Sequence, residues 1–301
     1  MQIKDYFLFF RWKNLLMLIL TQLLLKFVLF QNFDLNLTLH IAHFFLLTTA
    51  TIFISIAGYI INDIHDVETD LINKPNKVYV GEKISLKKAN NLFVFFNSVG
   101  LIIGFYLSIH INKPSFFTIF ILTSLLLYRY AIALKKKLLV GNFIISILVF
   151  FSILLVAIFD IVPATNSYNI AQQKQVFNLV FIIGCFSFFL TFLREIVKDL
   201  EDIKGDLKIN ANTIPIAIGI KKTKNIVLTL SLLISFACCY FAFLLYETNS
   251  IASYFLFFTV ATPLLYFTYK IRLSNTATEF HFLSSVLKVN MLAGILTILF
   301  L

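Results

Sequence analysis

The stretch HIAHFFLLTTATIFISIAGYII, residues 40–61, runs directly into NDIHDVETD, Asn62–Asp70. The apolar part is as long as the roughly 20 residues a helix needs to cross about 30 Å of hydrocarbon. The nonapeptide then places four acidic side chains at its end, and Asp63, Asp66 and Asp70 are spaced three and four apart. On a helix this spacing stacks three carboxylates on one face, a turn from each other. There each one raises the cost of ionising its neighbours unless a cation sits among them. KDLEDIKGD, Lys198–Asp206, repeats the spacing with Asp199, Asp202 and Asp206. Two identical acidic combs at the ends of apolar segments are what fold and function must account for.

The rest of the chain agrees with a membrane setting. Of 301 residues, 59% are hydrophobic and 13% charged, far from the balance of a soluble domain of this size. Nine apolar runs are long enough to span: about 12–31, 40–61, 91–109, 115–134, 139–159, 176–197, 225–246, 251–271 and 280–301. The expected fold is an all-α integral membrane protein, with nine transmembrane helices bundled around a central cavity. Helices satisfy their backbone groups internally in lipid, and the alternating ten-residue strands of a barrel are absent. Residues 1–301 read as a single transmembrane domain. The first apolar run is interrupted by Thr21, Gln22 and Lys26 and lacks a small-residue cleavage site, so it reads as a membrane helix and not a signal peptide.

The net charge of +10 follows from topology. Of 25 Lys and Arg residues, Lys26, Lys113 and Lys174 fall on one side and Lys288 lies within the last span. The remainder share the side of the N-terminus, which makes that side cytoplasmic by the positive-inside rule. The basic residues are not interleaved with exposed aromatics outside the spans, which excludes nucleic acid as a partner. Cys185, Cys238 and Cys239 fall inside spans without metal-ligand spacing and read as packing residues.

Spans two and six are separated by an even number of crossings, so both deliver their combs to the same, cytoplasmic, face. A basic loop follows each comb: NKPNKVYVGEKISLKKAN after the first, and DLKINANTIPIAIGIKKTK after the second. Helix, acidic comb and covering loop thus form two pseudo-repeats, with acidic motifs at 62–70 and 199–206 and two cytoplasmic cap loops. Pro263 marks a kink in the eighth span.

Carboxylates at a helix C-terminus oppose the helix dipole, and an interior face gains from being acidic when it holds cations. The donor set is oxygen only, with no Cys or multiple-His cluster, so the implied metal is hard, and Mg²⁺ fits best. Mg²⁺ held by few carboxylates completes its shell with water and phosphate oxygens, so acids beside basic loops read as a diphosphate site. Asp63, Asp66, Asp70, Asp199, Asp202 and Asp206 are the candidate metal ligands. Arg11, Lys77, Tyr128, Lys135 and Lys198 are the candidate diphosphate contacts, and His65 is expected on the outer face. Lys288, buried in the last span, and His281, one heptad earlier, are expected to share a face.

These strings resemble the UbiA-type intramembrane prenyltransferases. NDIHDVETD is similar to their first aspartate-rich motif, NDxxDxxxD, and the sixth-span comb to their second. REIVKDLEDIKGD looks especially like the branch that makes digeranylgeranylglyceryl phosphate, with support from RWKN at Arg11–Asn14, NKPNK at Asn73–Lys77 and LKKKLLVGN ending at Gly141 and Asn142. Two departures stand out: the lysine of the family's string after the second motif is Asn212 here, with Lys208 as the nearest substitute, and an arginine often found in the first loop is Lys77, which keeps charge but loses bidentate geometry.

The resemblance implies nine helices and a Mg²⁺-dependent transfer of a polyprenyl group, geranylgeranyl in this branch, from its diphosphate to a lipophilic acceptor within membrane lipids. The acceptor it implies is the hydroxyl of a prenylated glycerol phosphate in phospholipid biosynthesis, with an aromatic acceptor of quinone or haem synthesis as the alternative. Asn62 would orient the acceptor. The expected location is the plasma membrane of a bacterium or archaeon. Two rivals come from other classes: a cation transporter, against which the combs lie at span ends and not near the midplane, and an inactive lipid-binding scaffold.

Overall fold

A computed structural model describes residues 3–73, 75 and 78–301. Among them nine helices are long and apolar enough to cross a membrane. A short helix α1 (Ile3–Phe9) precedes the first of these, α2 (Trp12–Asn32). The chain continues with α3 (Ile41–His65), the short α4 (Val67–Asn73), α5 (Leu86–His110), α6 (Pro114–Ile132), α7 (Val140–Ala164) and α8 (Ile170–Lys208). A short α9 (Ile214–Ile218) leads to α10 (Ile220–Tyr246), α11 (Ser250–Leu273) and α12 (Ala277–Phe300). Among the described residues the only sheet-like pairing is an isolated bridge between Val80 and Ile84.

Two apolar clusters build the bundle. One is centred on α2, α3 and α7, with Leu25, Leu29, Phe30, Phe44, Leu47 and Phe159 fully buried; the other joins α8, α10, α11 and α12 through Leu190, Leu193, Leu264, Phe267 and Leu287. In lipid, burial of this kind works through close packing more than through exclusion of water. Near Pro263, where a kink is expected, the helix has a π-helical turn over Phe257–Ala261 that ends two residues before the proline. At the start of α12, Thr276 and Glu279 form a reciprocal capping box, which anchors the N-terminal turn of that helix.

The two acidic combs differ in backbone. The second lies on one uninterrupted helix, since α8 runs 39 residues through Asp206. The first does not: α3 ends at His65, Asp66 sits near φ −100°, ψ 2°, and α4 restarts at Val67. The uniform helical face expected across Asn62–Asp70 is therefore broken at its middle acid. The Asp66 carbonyl still accepts from Asp70 N–H at 2.8 Å, which keeps the two carboxylates a turn apart across the break.

The first cap loop is anchored by an apolar underside. Val80 and Ile84 are buried with Phe9, Ile56 and Ile60, Gly81 turns at φ 91°, and Lys83 pairs with Asp5 on α1 at 2.8 Å. That bond raises the affinity of the Lys83 ammonium for its proton, and burial does the same for the Tyr79 hydroxyl.

At the opposite end of the bundle, Lys26 and Asp160 are both fully buried. Lys26 Nζ donates to Asp160 Oδ2 at 2.6 Å and to the Leu39 carbonyl at 2.8 Å, while Asp160 Oδ1 accepts from Leu39 N–H at 2.9 Å. Lys26, counted on the side opposite the N-terminus, is half of an internal clamp joining α2, the α2–α3 turn and α7. Asp160→Asn should cost about 3–5 kcal/mol by stranding a buried ammonium, seen as a lower thermal unfolding midpoint in detergent. Lys26→Met/Asp160→Asn should recover most of the loss; an unchanged midpoint for the single variant would refute the clamp.

Candidate active site

The site is assembled where α2, α3, α6, α7 and α8 end on one side of the bundle. The turn between α1 and α2 holds Arg11 in the left-handed region (φ 54°, ψ 47°). For a non-glycine residue this costs about 1–3 kcal/mol and persists where surroundings over-determine it. The surroundings here are polar: the guanidinium reaches Asp63 Oδ1 at 2.5 Å and lies over the Tyr59 ring, 4.8 Å from its centroid. Burial works against its charge, but Asp63, Tyr59 and Asp66 outweigh that cost and hold the Arg11 guanidinium more firmly protonated than usual.

Asp66 is claimed from two sides. Lys135 Nζ reaches Oδ1 at 2.5 Å and Asn62 Nδ2 reaches Oδ2 at 2.6 Å. Lys135 comes from the turn between α6 and α7, which folds tightly onto α7 at Gly141: a Cβ there would stand 2.9 Å from the Lys135 Cα. One residue on, Asn142 donates to Asp199 Oδ2 at 2.8 Å. The short segment Lys135–Asn142 therefore serves both motifs, Asp66 through its lysine and Asp199 through its asparagine.

The cap loops close the same end. Asn73 bridges α4 to α8, its amide donating to the Asp202 carbonyl at 3.1 Å and accepting from Gly205 N–H at 2.9 Å. Asn212, at the position of the family's missing lysine, donates its backbone N–H to the Lys136 carbonyl at 2.9 Å, while Lys208 is exposed.

Several sequence expectations change here. Tyr128 does not reach the acids: it is exposed and stacks on Phe93, 6.1 Å between centroids. Two residues further round the helix, Tyr130 instead lies within electrostatic reach of Asp66, Glu195 and Asp199. Lys198 pairs with Glu195 at 2.8 Å and not with an aspartate of either motif. Lys77 lies outside the described residues. His65 is exposed, as expected. His281 and Lys288 part company, the first bonding Glu201 at 2.9 Å and the second turning inward to Asn14 at 2.5 Å.

Sequence reasoning missed Tyr59 and Glu195. The signal was present: each lies four residues before the first aspartate of its motif and so extends the same helical face one turn deeper.

Among the described residues, no three His, Cys, Asp or Glu side chains converge closely enough to hold a metal ion in this arrangement. A cavity of about 230 Å³ beside Lys270, Ser274 and Phe282, and another of about 460 Å³ beside Phe30 and Asp34, lie away from the acids. The described geometry is a cluster of carboxylates engaged by the protein's own cations. Its donor chemistry nevertheless suits a hard divalent ion, since every candidate ligand is an oxygen and the buried Asn62 Oδ1 lacks a hydrogen-bond partner.

Among the described residues, nine membrane-length helices with carboxylates and cations gathered at one end define a polytopic membrane protein with a charged site. Residues 27–292 match the UbiA prenyltransferase family, and the chain belongs to that family. It is a prenyltransferase. Among curated relatives, it is 32% identical to the digeranylgeranylglyceryl phosphate synthase of Methanosphaera stadtmanae over 78% of this chain and 79% of that one. It is 34% identical to the synthase of the same name from Sulfurisphaera tokodaii over 63% and 64% of the two chains. Its fold matches a solved digeranylgeranylglyceryl phosphate synthase with a TM-score of 0.64 at 25% identity, covering 99% of both chains. A UbiA homologue from Archaeoglobus fulgidus bound to DMAPP and Mg²⁺ matches at 0.58 and 14% identity, over 98% of this chain and 99% of that one.

The docking of Asn73 against Gly205 predicts that Gly205→Ala, whose Cβ would collide with the Asn73 amide, detaches the first cap loop from α8. Limited trypsin digestion should then cut faster at Lys83, Lys87 and Lys88. An unchanged digestion pattern would contradict the docking.

Proposed function

We propose that the chain transfers a geranylgeranyl group from its diphosphate to the free hydroxyl of a prenylated glycerol phosphate, making a diether lipid precursor. The observation that carries this reading is the meeting of both acidic motifs with Arg11, Lys135 and Asn142 at one end of the bundle. The names and identity of the relatives support the choice of substrates.

In this reading Asp63, Asp66, Asp70, Asp199, Asp202 and Asp206 would hold Mg²⁺, which when bound supplies Lewis-acid neutralisation of the diphosphate. Arg11 and Lys135 already stand at the carboxylates, where each would exchange a carboxylate oxygen for an oxygen of the donor's diphosphate. Lys77, on the first cap loop, would add a third. Their charge stabilises the electron pair that leaves with the diphosphate as the allylic C–O bond breaks. The acceptor hydroxyl oxygen then bonds to that carbon and its proton is released. Asn62, held by Asp66, would orient the acceptor. The anchored cap loop over the site limits access of water that would otherwise capture the allylic carbon. The acidic end faces the cytoplasm in this reading, in keeping with the basic loops on that side. A transport path is disfavoured because the carboxylates cluster at one end and do not continue across the membrane.

Asp66→Asn and Asp202→Asn should each reduce Mg²⁺-dependent prenyl transfer from labelled geranylgeranyl diphosphate by about a hundredfold or more. Chelation of Mg²⁺ with EDTA should abolish it, and added Mg²⁺ should restore it. Turnover that survives both substitutions would remove these motifs from the reaction.

A further inference from the structure

Beside the second acidic motif, and extending a turn deeper along α8, a second group of charges lies between α2, α8 and α12. Arg194 and Lys198 lie one turn apart on α8. Facing them on α12 is Lys288, seven residues beyond the surface residue His281 and so about 10 Å further along the helix. Glu195 is the carboxylate among them, bonded to Lys198 at 2.8 Å and to Arg194 at 3.4 Å. Lys288 has a neutral partner, Asn14 Oδ1 at 2.5 Å, and Lys13, Arg194 and Lys198 all act on its charge.

Three part-buried cations against one carboxylate leave a surplus of positive charge within the bundle. An ammonium so placed is unfavourable unless an anion or water answers it. The surplus matches a phosphate monoester, which carries about −1.5 to −2 near neutrality. The group is joined to the first motif through the start of α2: Asn14 N–H donates to the Arg11 carbonyl at 2.8 Å, and the Arg11 guanidinium holds Asp63.

We infer that Lys288 and Arg194, with Lys198, form a subsite for the phosphate monoester of the acceptor lipid, distinct from the place of the donor's diphosphate. This rests on the acceptor named above. Binding the acceptor's headgroup here and the donor's diphosphate at the aspartates keeps two anions apart that would otherwise repel, and brings the acceptor beside the first motif. The subsite also selects, because an acceptor without the phosphate leaves the surplus positive charge unanswered.

The test uses the full chain in detergent with labelled geranylgeranyl diphosphate, Mg²⁺ and two acceptors, a prenylated glycerol phosphate and the same prenylglycerol without its phosphate. Lys288→Met should raise KM for the phosphorylated acceptor about tenfold or more, the loss expected for one charge-assisted contact. KM for the donor should not change, the preference for the phosphorylated acceptor should collapse, and Lys288→Arg should retain most of it. A Lys288→Met enzyme that keeps its preference, or that loses donor and acceptor affinity equally, overturns the subsite. Direct binding separates this from failure of the acceptor assignment. The single tryptophan, Trp12, adjoins Lys13, so its fluorescence can be titrated with the prenylated glycerol phosphate without turnover. If wild type binds the phosphorylated lipid about tenfold more tightly than Lys288→Met does, the subsite stands even where no transfer occurs. Equal binding by a variant of unchanged thermal midpoint overturns it.

Discussion

Carboxylates at the ends of apolar helices must be answered by a cation or a hydrogen-bond donor, and in this molecule the answers to Asp63, Asp66 and Asp199 come from other helices and turns. Arg11 reaches Asp63 from the start of α2, and Lys135 reaches Asp66 from the α6–α7 turn. Asn142 reaches Asp199 from the start of α7. Because lipid offers no water to substitute, each pairing constrains where a helix end can lie. The close approach at Gly141 and the left-handed turn at Arg11 are consequences of that demand. A glycine is needed where the Lys135 backbone abuts α7, and a strained backbone is tolerated where its side chain is held by both a carboxylate and a ring.

The opposite end shows the same rule without an open site. Lys26 and Asp160 satisfy each other and the backbone of Leu39. This closed pair ties the base of the bundle together, whereas the cations at the acidic end are the ones that, in the proposed reaction, exchange carboxylate for phosphate. The difference between structural and functional polarity lies in replaceable partners more than in burial. Glu195 and Lys288 sit between these cases, since Glu195 answers only part of the charge gathered around it.

Much of this was legible from one dimension. Hydropathy locates nine spans, and the count of crossings between Asp63 and Asp199 places both motifs on one face; the described helices agree with both. Tyr128 shows where linear reading misleads, because it is near the site in sequence but on the lipid-facing side of α6, while Tyr130 is turned inward. The break at Asp66 was also invisible, since nothing in NDIHDVETD forbids a continuous helix.

The sequence by itself determined the membrane class, the shared face of the acidic motifs and their oxygen-donor chemistry, because hydrophobic length and helical spacing are local properties of the chain. The tertiary structure decided which cation answers which acid. Arg11 and Asp63 are 52 residues apart, Lys135 and Asp66 are 69 apart, and Lys288 and Asn14 are 274 apart. Such pairs depend on how separate helices rotate and dock, which local periodicity does not encode. For that reason Lys288, an isolated charge in an apolar run, acquires a chemical meaning only once α8 and α2 are placed beside it.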